Sequence, residues 1–304
     1  MKRYYSHGKL LITGEYVVLD GAKSLAIPTT FGQHMIVNKT PNNLIHWISK
    51  NYTNEIWFEA VFKVSDNQFI CTTSNNNSIS DRLITIFNSA YQIDSKTKNK
   101  ILGSKIETLL EFPNHWGLGT SSTLINNIAS WLDIDPYKLL KLTFGGSGYD
   151  IACANASSGI TFQIMENKPH IAAITFEPPF KSHLYFVYLN KKQDSREGIA
   201  HYRNNACDHN ALISEINGIT EAMINCTTLD TFQKLMEQHE DLIANCIQME
   251  VVKERLFPDF NGSIKSLGAW GGDFIMVASK TDPKSYFMSK GYDTIISYKD
   301  MIFK

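Results

Sequence analysis

Residues 112–123 constrain the fold most, because within this short stretch a strand ends, a glycine turn follows and a helix begins. They read Phe-Pro-Asn-His-Trp-Gly-Leu-Gly-Thr-Ser-Ser-Thr. Residues 105–110 before them alternate between a polar-leaning and an apolar-leaning set, which is typical of a strand with one buried face. After them, Leu124, Ile128 and Leu132 recur every fourth position. That spacing predicts an amphipathic helix.

The glycine turn in front of this helix is suited to binding an anion. Glycines at 117 and 119 allow backbone dihedrals and close approaches that a Cβ atom forbids. The first amides of a helix are unpaired and lie at the positive end of its dipole. The hydroxyls of Thr120, Ser121 and Ser122 can cap that end or reach a phosphate or a metal. A capped helix with no ligand explains the same pattern, since a lone Gly-x-Gly is a weak signal. No Walker A lysine and no dinucleotide fingerprint follow.

Composition narrows the class of protein further. A chain of 304 residues is long enough for one large or two ordinary domains. Its net charge of −1 provides no broad basic field, so we expect neither nucleic acid nor a membrane surface as a partner. We find no signal peptide and no apolar run of membrane-spanning length. The five cysteines are odd in number and lack Cys-x-x-Cys spacing, which argues against a disulfide framework or a zinc site and favours a cytoplasmic protein.

Periodicity predicts the remaining elements. Asp135 followed by Pro136 is typical of a helix start. Residues 9–21, rich in β-branched and aromatic side chains and closing on Asp-Gly, indicate extended segments. Residues 71–80 are polar and indicate an exposed loop. We predict helices at 81–91, 204–225, 230–249 and 283–290, and strands at 159–164, 171–176, 184–189 and 292–298, with a domain boundary near residue 177.

Residues 113–122 resemble the phosphate loop of the GHMP kinases, Pro-x-x-x-Gly-Leu-Gly-Ser-Ser, with threonine at 120 in place of serine. Three other stretches resemble family motifs in the family's order. Residues 9–16, with Gly-Glu-Tyr at 14–16, resemble the first motif. Residues 144–154 contain Gly-Tyr-Asp-Ile-Ala, the string that names a bacterial subgroup. Residues 264–278 resemble the third motif, Gly-Ala-Gly-Gly-Gly, with Trp270 in place of a glycine.

The resemblance implies an α+β, two-domain GHMP kinase fold. It places an ATP-binding domain at residues 1–177, with a fold like the second domain of ribosomal protein S5. A ferredoxin-like domain follows at residues 178–304. The active site is expected between these domains.

The resemblance also implies roles for particular residues. Asp150 is the candidate base or orienting carboxylate for an acceptor hydroxyl, and Lys9 is the cation near the transferred phosphoryl group, where it would also favour ionised Asp150. ATP and Mg²⁺ are the expected cofactors, with Ser121 as metal ligand. A metal-binding glutamate of the mevalonate kinases has no clear counterpart here. Either a loop hydroxyl, the nucleotide and water hold the metal, or one of Asp133 and Asp135 serves, the only acidic residues between Thr123 and Asp150. The nucleotide-binding candidates are Gly117, Leu118, Gly119, Thr120, Ser121, Ser122, Gly268, Gly271 and Gly272.

The expected reaction is phosphorylation of a small molecule. Gly-Glu-Tyr at 14–16 and Gly-Gly-Asp at 271–273 resemble the phosphomevalonate kinases, and mevalonate is the other acceptor favoured. The acceptor-binding candidates are Glu15, Tyr16, Ser147, Lys192, Ser195 and Arg196, of which the cationic ones suit a carboxylate or phosphate. A degenerate family member that senses a nucleotide or metabolite is the alternative, since Trp270 and the sparse metal ligands depart from the pattern. We expect a monomer or a homodimer.

Overall fold

The computed structural model describes residues 1–193, 195–204 and 207–304, without the side chains of residues 195–197. The strands are β1 Lys2–Leu11, β2 Ser24–Lys39, β3 Ile45–Lys50, β4 Ile56–Ser65, β5 Gln68–Ser74, β6 Ser104–Leu110, β7 Gly159–Met165, β8 Lys168–Ile174, β9 Leu184–Tyr188, β10 Ser263–Ser266, β11 Phe274–Ala278 and β12 Ile295–Ser297. The helices are α1 Asn77–Ile93, α2 Thr97–Ile101, α3 Thr120–Leu132, α4 Pro136–Thr143, α5 Tyr149–Ala154, α6 Ser195–Asn204, α7 His209–Ile224, α8 Leu229–Ile247, α9 Val252–Leu256, α10 Lys284–Ser289 and α11 Tyr298–Met301. Short 3₁₀ turns lie at Val17–Asp20 and Lys181–His183.

The chain divides into two compact units, each built from several segments. The first comprises residues 1–8, 31–114 and 119–155, and the second comprises 9–30, 115–118 and 156–304. Strands β1 and β2 each contribute residues to both units, because the divisions fall inside them. This division differs from the domains expected from the sequence, whose boundary near residue 177 stays a prediction.

The first unit is a sheet with helices packed on it. Its strands lie in the order β5, β4, β3, β6, β2; β3 pairs with β6 in parallel and the other pairs are antiparallel. Residues of β6 alternate between buried and half-buried, as the period-two pattern predicted. Trp47 and Phe62 from the sheet contact Phe87 of α1, with ring centroids 5.9 and 5.6 Å apart. Apolar residues of α3 and α4 complete this core.

The second unit contains an antiparallel four-stranded sheet in the order β10, β11, β9, β12. This unit also contains the hairpin β7–β8, and β7 pairs with residues 24–26 of β2. The faces of α7 and α8 bury Leu212, Ile216, Ile243 and Ile247. The predicted strands and helices of this region are confirmed, with ends that differ by a few residues.

Three local predictions are wrong. Residues 9–21 are extended only to Leu11, since Val17 and Val18 are buried by a 3₁₀ turn. The predicted loop at 71–80 instead completes β5 and begins α1, because the Asn76 side chain accepts the Ile79 N–H and caps that helix. Cys207 and Cys246 form a disulfide. They lie 39 residues apart in sequence, so no local spacing signals the pair.

In the described residues, every helix is too short or too polar to span a lipid bilayer.

Candidate active site

The helix α3 presents an uncapped N-terminus in the first unit. Gly119 precedes it with φ 92°, in the left-handed region, and no side chain caps the helix end. The Thr123 N–H donates to the Gly119 carbonyl at 3.0 Å, so the amides of residues 120–122 are those left for a ligand. Ser121 is exposed. This end of the helix therefore has the geometry that binds phosphate groups.

The neighbouring hydroxyl at Ser122 is already engaged. Its side chain is buried, and its Oγ donates to the Gly119 carbonyl at 2.8 Å. The Thr123 hydroxyl bonds to Gln33 Oε1 at 2.9 Å. Of the predicted phosphate-binding hydroxyls, Thr120 and Ser121 remain candidates, whereas Ser122 can offer its backbone amide.

Residues 115–118 of the predicted phosphate loop lie in the second unit, where they contact the end of β1. The Lys9 backbone N–H donates to the Leu118 carbonyl at 3.0 Å, and Lys9 Nζ donates to the Gly117 carbonyl at 3.2 Å. Leu118 is fully buried, so it anchors the loop. The structure thus brings Lys9, Gly117 and Leu118 together.

Asp273 lies beside these groups, although no sequence pattern gave its side chain a catalytic or binding role. A Cβ on Gly117 would lie 2.3 Å from Asp273 Oδ2, so the carboxylate packs directly on this glycine. The Gln193 N–H donates to Asp273 Oδ1 at 3.1 Å. Burial raises the pKa of Asp273, against the opposite effect of the cations Lys9 and Lys192. The available sequence signal was an acidic residue directly after paired glycines.

A small pocket connects these groups. Lys9, Gly117, Gly268 and Asp273 line it together with apolar residues of β1 and β11. The pocket holds a cation and a carboxylate beside two glycine backbones. A phosphate oxygen approaching Lys9 would therefore also approach Asp273, whose negative charge opposes it unless the carboxyl is protonated.

The third glycine motif serves two purposes. Apart from its two chain neighbours, no described residue has an atom within 4 Å of the position of a Cβ on Gly268, whose φ is +67°, so this backbone has open space beside it for a ligand. A Cβ on Gly272 would lie 2.5 Å from the Lys191 carbonyl, so that glycine is needed for packing. Gly271, with φ +100°, faces Gln193.

The side chain of Trp270, which replaces a glycine of the motif, points into the core and away from the turn. Its side chain is 3% exposed and packs in the core with Tyr16. Its backbone N–H donates to Tyr16 Oη at 2.9 Å. That amide is therefore engaged, and Tyr16 serves as a support for the turn. Burial raises the pKa of Tyr16 to about 12, so its hydroxyl stays protonated.

Asp150 lies in the first turn of α5, in the first unit. Gly148 precedes the helix with φ 88°, and Asp150 Oδ1 accepts the Ile151 N–H at 3.0 Å. Burial and the negative charges of Asp150 and Asp135 raise the pKa of Tyr137 to about 12. Ser147 Oγ lies 3.5 Å from the Tyr149 N–H. Asp150 is thus a half-buried carboxylate that accepts an N–H of its own helix.

The remaining acceptor-binding candidates differ in their surroundings. Glu15 is fully buried and paired with Lys265, so its direct contact with an acceptor stays a prediction that this geometry does not favour. Lys192 is exposed. The side chains of Ser195 and Arg196 lie outside the described residues.

The described residues include no cluster of three His, Cys, Asp or Glu side chains that could hold a metal ion. Asp135 is one of the two acidic candidates for binding Mg²⁺. Its Oδ1 already accepts the N–H groups of Tyr137 and Lys138 as the cap of α4. Asp133 ends α3 with φ 60°. Mg²⁺ keeps several waters and binds few protein groups, so the exposed Ser121 fits as a single protein ligand beside a nucleotide.

No protein-family model and no curated protein matches this sequence. Solved structures share its fold throughout its length. The mevalonate kinase of Methanococcus jannaschii is 15% identical with a TM-score of 0.69, covering 97% of this chain and 96% of that one. The Streptococcus pneumoniae phosphomevalonate kinase, in complex with phosphomevalonate and AMPPNP, is 12% identical with a TM-score of 0.70, covering 98% and 100%. The Lactococcus lactis galactokinase, complexed with galactose, is 11% identical with a TM-score of 0.68, covering 100% and 94%. The shared fold confirms the predicted α+β class.

Proposed function

Because the chain has the GHMP kinase fold, we propose that it is a kinase that transfers the terminal phosphoryl group of ATP to a small molecule. The observation that carries this proposal is the uncapped N-terminus of α3 after the left-handed Gly119. A solved protein of the same fold is in complex with the ATP analogue AMPPNP.

In this proposal the backbone of residues 117–122 binds the nucleotide phosphates. The first amides of α3 carry the partial positive charge of the helix N-terminus. The hydroxyls of Ser122 and Thr123 already donate to other groups and do not contribute to phosphate binding. Ser121 would hold Mg²⁺, which offsets the phosphate charge when bound. Lys9, fixed by the Gly117 carbonyl, offsets the charge that develops on the phosphoryl oxygens.

Asp150 acts on the acceptor. An alcohol proton leaves more easily when a carboxylate hydrogen-bonded to it can accept it as the bond to phosphorus forms. If the attacking group of the acceptor is a phosphate, its oxygen is already anionic, and a base such as Asp150 contributes less to the reaction. Positive charge from Lys9, Lys192 and Arg196 then matters more.

We propose an acceptor from the mevalonate pathway, in isoprenoid precursor synthesis. Gly-Glu-Tyr at 14–16 and Gly-Gly-Asp at 271–273 favour phosphomevalonate, followed by mevalonate. A galactokinase shares the fold to a similar degree, so sugars belong in any test.

A nucleotide or metabolite sensor is the second candidate. The observations that favour it are the engaged Trp270 amide and the absence of an acidic metal cluster among the described residues. A sensor would bind ATP without transferring its phosphoryl group.

Measurement of ADP release with Mg-ATP tests both candidates. The acceptors are phosphomevalonate, mevalonate, galactose and homoserine, and a reaction without acceptor corrects for ATP hydrolysis. We expect turnover with phosphomevalonate or mevalonate well above that control. Calorimetry with AMPPNP measures nucleotide binding separately. Binding without turnover on any acceptor would favour the sensor, and absence of both would contradict the kinase proposal.

A further inference from the structure

A fully buried ion pair adjoins the third glycine motif within the second unit. Lys265 of β10 and Glu15 of the first motif have side chains that are 0% exposed, and Lys265 Nζ donates to Glu15 Oε1. Lys265 Nζ also donates to the Ser266 carbonyl at 2.9 Å. Removing two charges from water costs several kcal/mol per ion, and apolar replacements of such pairs are often as stable or more stable. Stability alone therefore does not explain a lysine at this position.

The pair is connected to the backbone of the glycine turn. Lys265 lies three residues before Gly268 in the sequence. The charge of Lys265 and, less strongly, the Gly268 backbone lower the pKa of Glu15, against the larger effect of its burial, so the Glu15 carboxylate lies near Gly268. The adjacent Tyr16 accepts the Trp270 N–H through its hydroxyl at 2.9 Å. Lys265, bonded to the Ser266 carbonyl, and Tyr16 thus hold the turn on both sides of Gly268.

Helix α8 fixes the same pair from its other side. Glu240 accepts the Ser266 N–H at 3.0 Å and the Ser266 hydroxyl at 2.8 Å. The Gly14 N–H donates to His239 Nε2 at 2.9 Å. Helix α8 therefore holds the backbone directly before Glu15 and directly after Lys265.

Lys265 is the cation that Glu15 requires, because His239 is neutral. His239 Nε2 accepts a proton from Gly14, so the ring proton is on Nδ1. Burial, followed by the charge of Lys265, holds the pKa of His239 well below its usual value. The 3.3 Å contact between His239 Nε2 and Glu15 Oε2 is consequently not an ion pair.

We propose that Lys265 and Glu15 are positioning residues that fix the turn at residues 266–270 so that the Gly268 backbone can contact a nucleotide phosphate. Gly268 has the open backbone that such a contact needs. In this proposal Glu15 stabilises the turn through Lys265 and does not contact the acceptor. This inference rests on the proposed kinase activity.

The experiment compares Lys265→Met, Glu15→Gln and the double variant with the wild type. Met at 265 leaves Glu15 buried without its cation, whereas the double variant leaves neither member of the pair charged. We expect Lys265→Met to lower kcat/KM for ATP about tenfold or more, and the double variant to recover most of that loss. We expect faster amide hydrogen exchange at residues 266–272 in Lys265→Met and near wild-type exchange in the double variant. Lys280→Met is the matched control, because Lys280 pairs with Asp230 where both side chains are more than half exposed.

Two outcomes would overturn the inference. A double variant as impaired as the worse single variant would show that removing both charges does not restore the turn, and that the loss does not come from an unpaired buried charge. Wild-type exchange at residues 266–272 in Lys265→Met would show that the pair does not fix the turn. If no variant and no wild-type protein transfers phosphate, the proposed function fails, and the exchange data still decide whether the pair positions the turn.

Discussion

At the residue scale, the reasons for particular residue types are partly visible in the sequence. Gly117 was predicted from the phosphate-loop pattern, and its φ of +68° agrees with the need for glycine. Gly117 is also needed because the carboxylate of Asp273 packs against it, and Asp273 lies 156 positions later in the sequence. Glu15 was predicted to bind an acceptor because Gly-Glu-Tyr at 14–16 resembles the phosphomevalonate kinases. Its partner Lys265 lies 250 residues away, and no local pattern indicates that pairing.

Asp150 offers the most direct test of a single side chain. Asp150→Asn keeps the shape and the hydrogen bond from the Ile151 N–H but cannot accept a proton. We expect turnover to fall by roughly 10²-fold or more while ATP binding persists, as for the loss of a positioned base. Steady-state kinetics and calorimetry measure the two effects.

Asp66→Asn provides the control for that prediction, because Asp66 is an exposed residue between β4 and β5 with no proposed role in the site. Asp66 has a left-handed backbone, φ 50°, which asparagine also adopts readily. We expect its turnover to stay near wild type. Equal turnover in Asp150→Asn and the wild type would remove Asp150 from the mechanism.

At the element scale, elements with a strong periodic pattern and a local cap were predicted well. Strand β6 and helix α3 follow from periodicity, and α4 follows from Asp135-Pro136. The segment after Leu11 was mistaken for a strand because its β-branched residues suit either conformation. There, burial of Val17 and Val18 in a 3₁₀ turn outweighs the local preference. The start of α1 was missed because the Asn76 cap lies within a polar run that is typical of loops.

The cap of α4 separates a structural role for Asp135 from a metal-binding one. Asp135 Oδ1 accepts two backbone N–H groups, at 2.8 and 3.2 Å. We expect Asp135→Ala to lower the free energy of unfolding by about 1 kcal/mol, as is typical for loss of a helix cap. Asp135→Ser, which retains a capping group, should recover most of the loss. Urea unfolding measures both. A large loss of Mg²⁺-dependent turnover in both variants, with stability unchanged, would instead indicate a metal ligand.

At the scale of the whole molecule, the arrangement of the chain into units was not predictable from local patterns. Each unit gathers segments that are far apart in sequence, since β1 and β2 both contribute to two units. The disulfide between Cys207 and Cys246 and the buried group around Lys265 depend on the same long-range packing. The order of the family motifs along the chain predicted the fold class, because that order reflects the complete topology. The contacts that the topology creates could be read only from the structure.

The buried group around Lys265 gives the unfolding free energy a pH dependence. Burial raises the pKa of Glu240 to about 7, with Lys265 and Ser266 opposing it and Glu15 adding to it. The folded protein therefore keeps a proton on Glu240 at pH values where the unfolded chain, with the usual pKa near 4.5, has released it. The folded state binds more protons in this range, so the contribution of Glu240 to stability falls as pH rises from about 4.5 to about 7.

A Glu240→Gln variant isolates this effect from that of His239. The pKa of His239 is lowered in the folded protein, so His239 acts in the opposite direction, reducing stability as pH falls below its usual value of 6.5. Since His239 is present in both proteins, its effect largely cancels in their difference. We expect the unfolding free energy of the wild type, minus that of Glu240→Gln, to fall by roughly 1–3 kcal/mol between about pH 5 and pH 7.5. Urea unfolding at several pH values measures this difference. A difference independent of pH would mean that Glu240 has the same protonation state in the folded and unfolded proteins. Burial would then not raise the pKa of Glu240 in the folded protein.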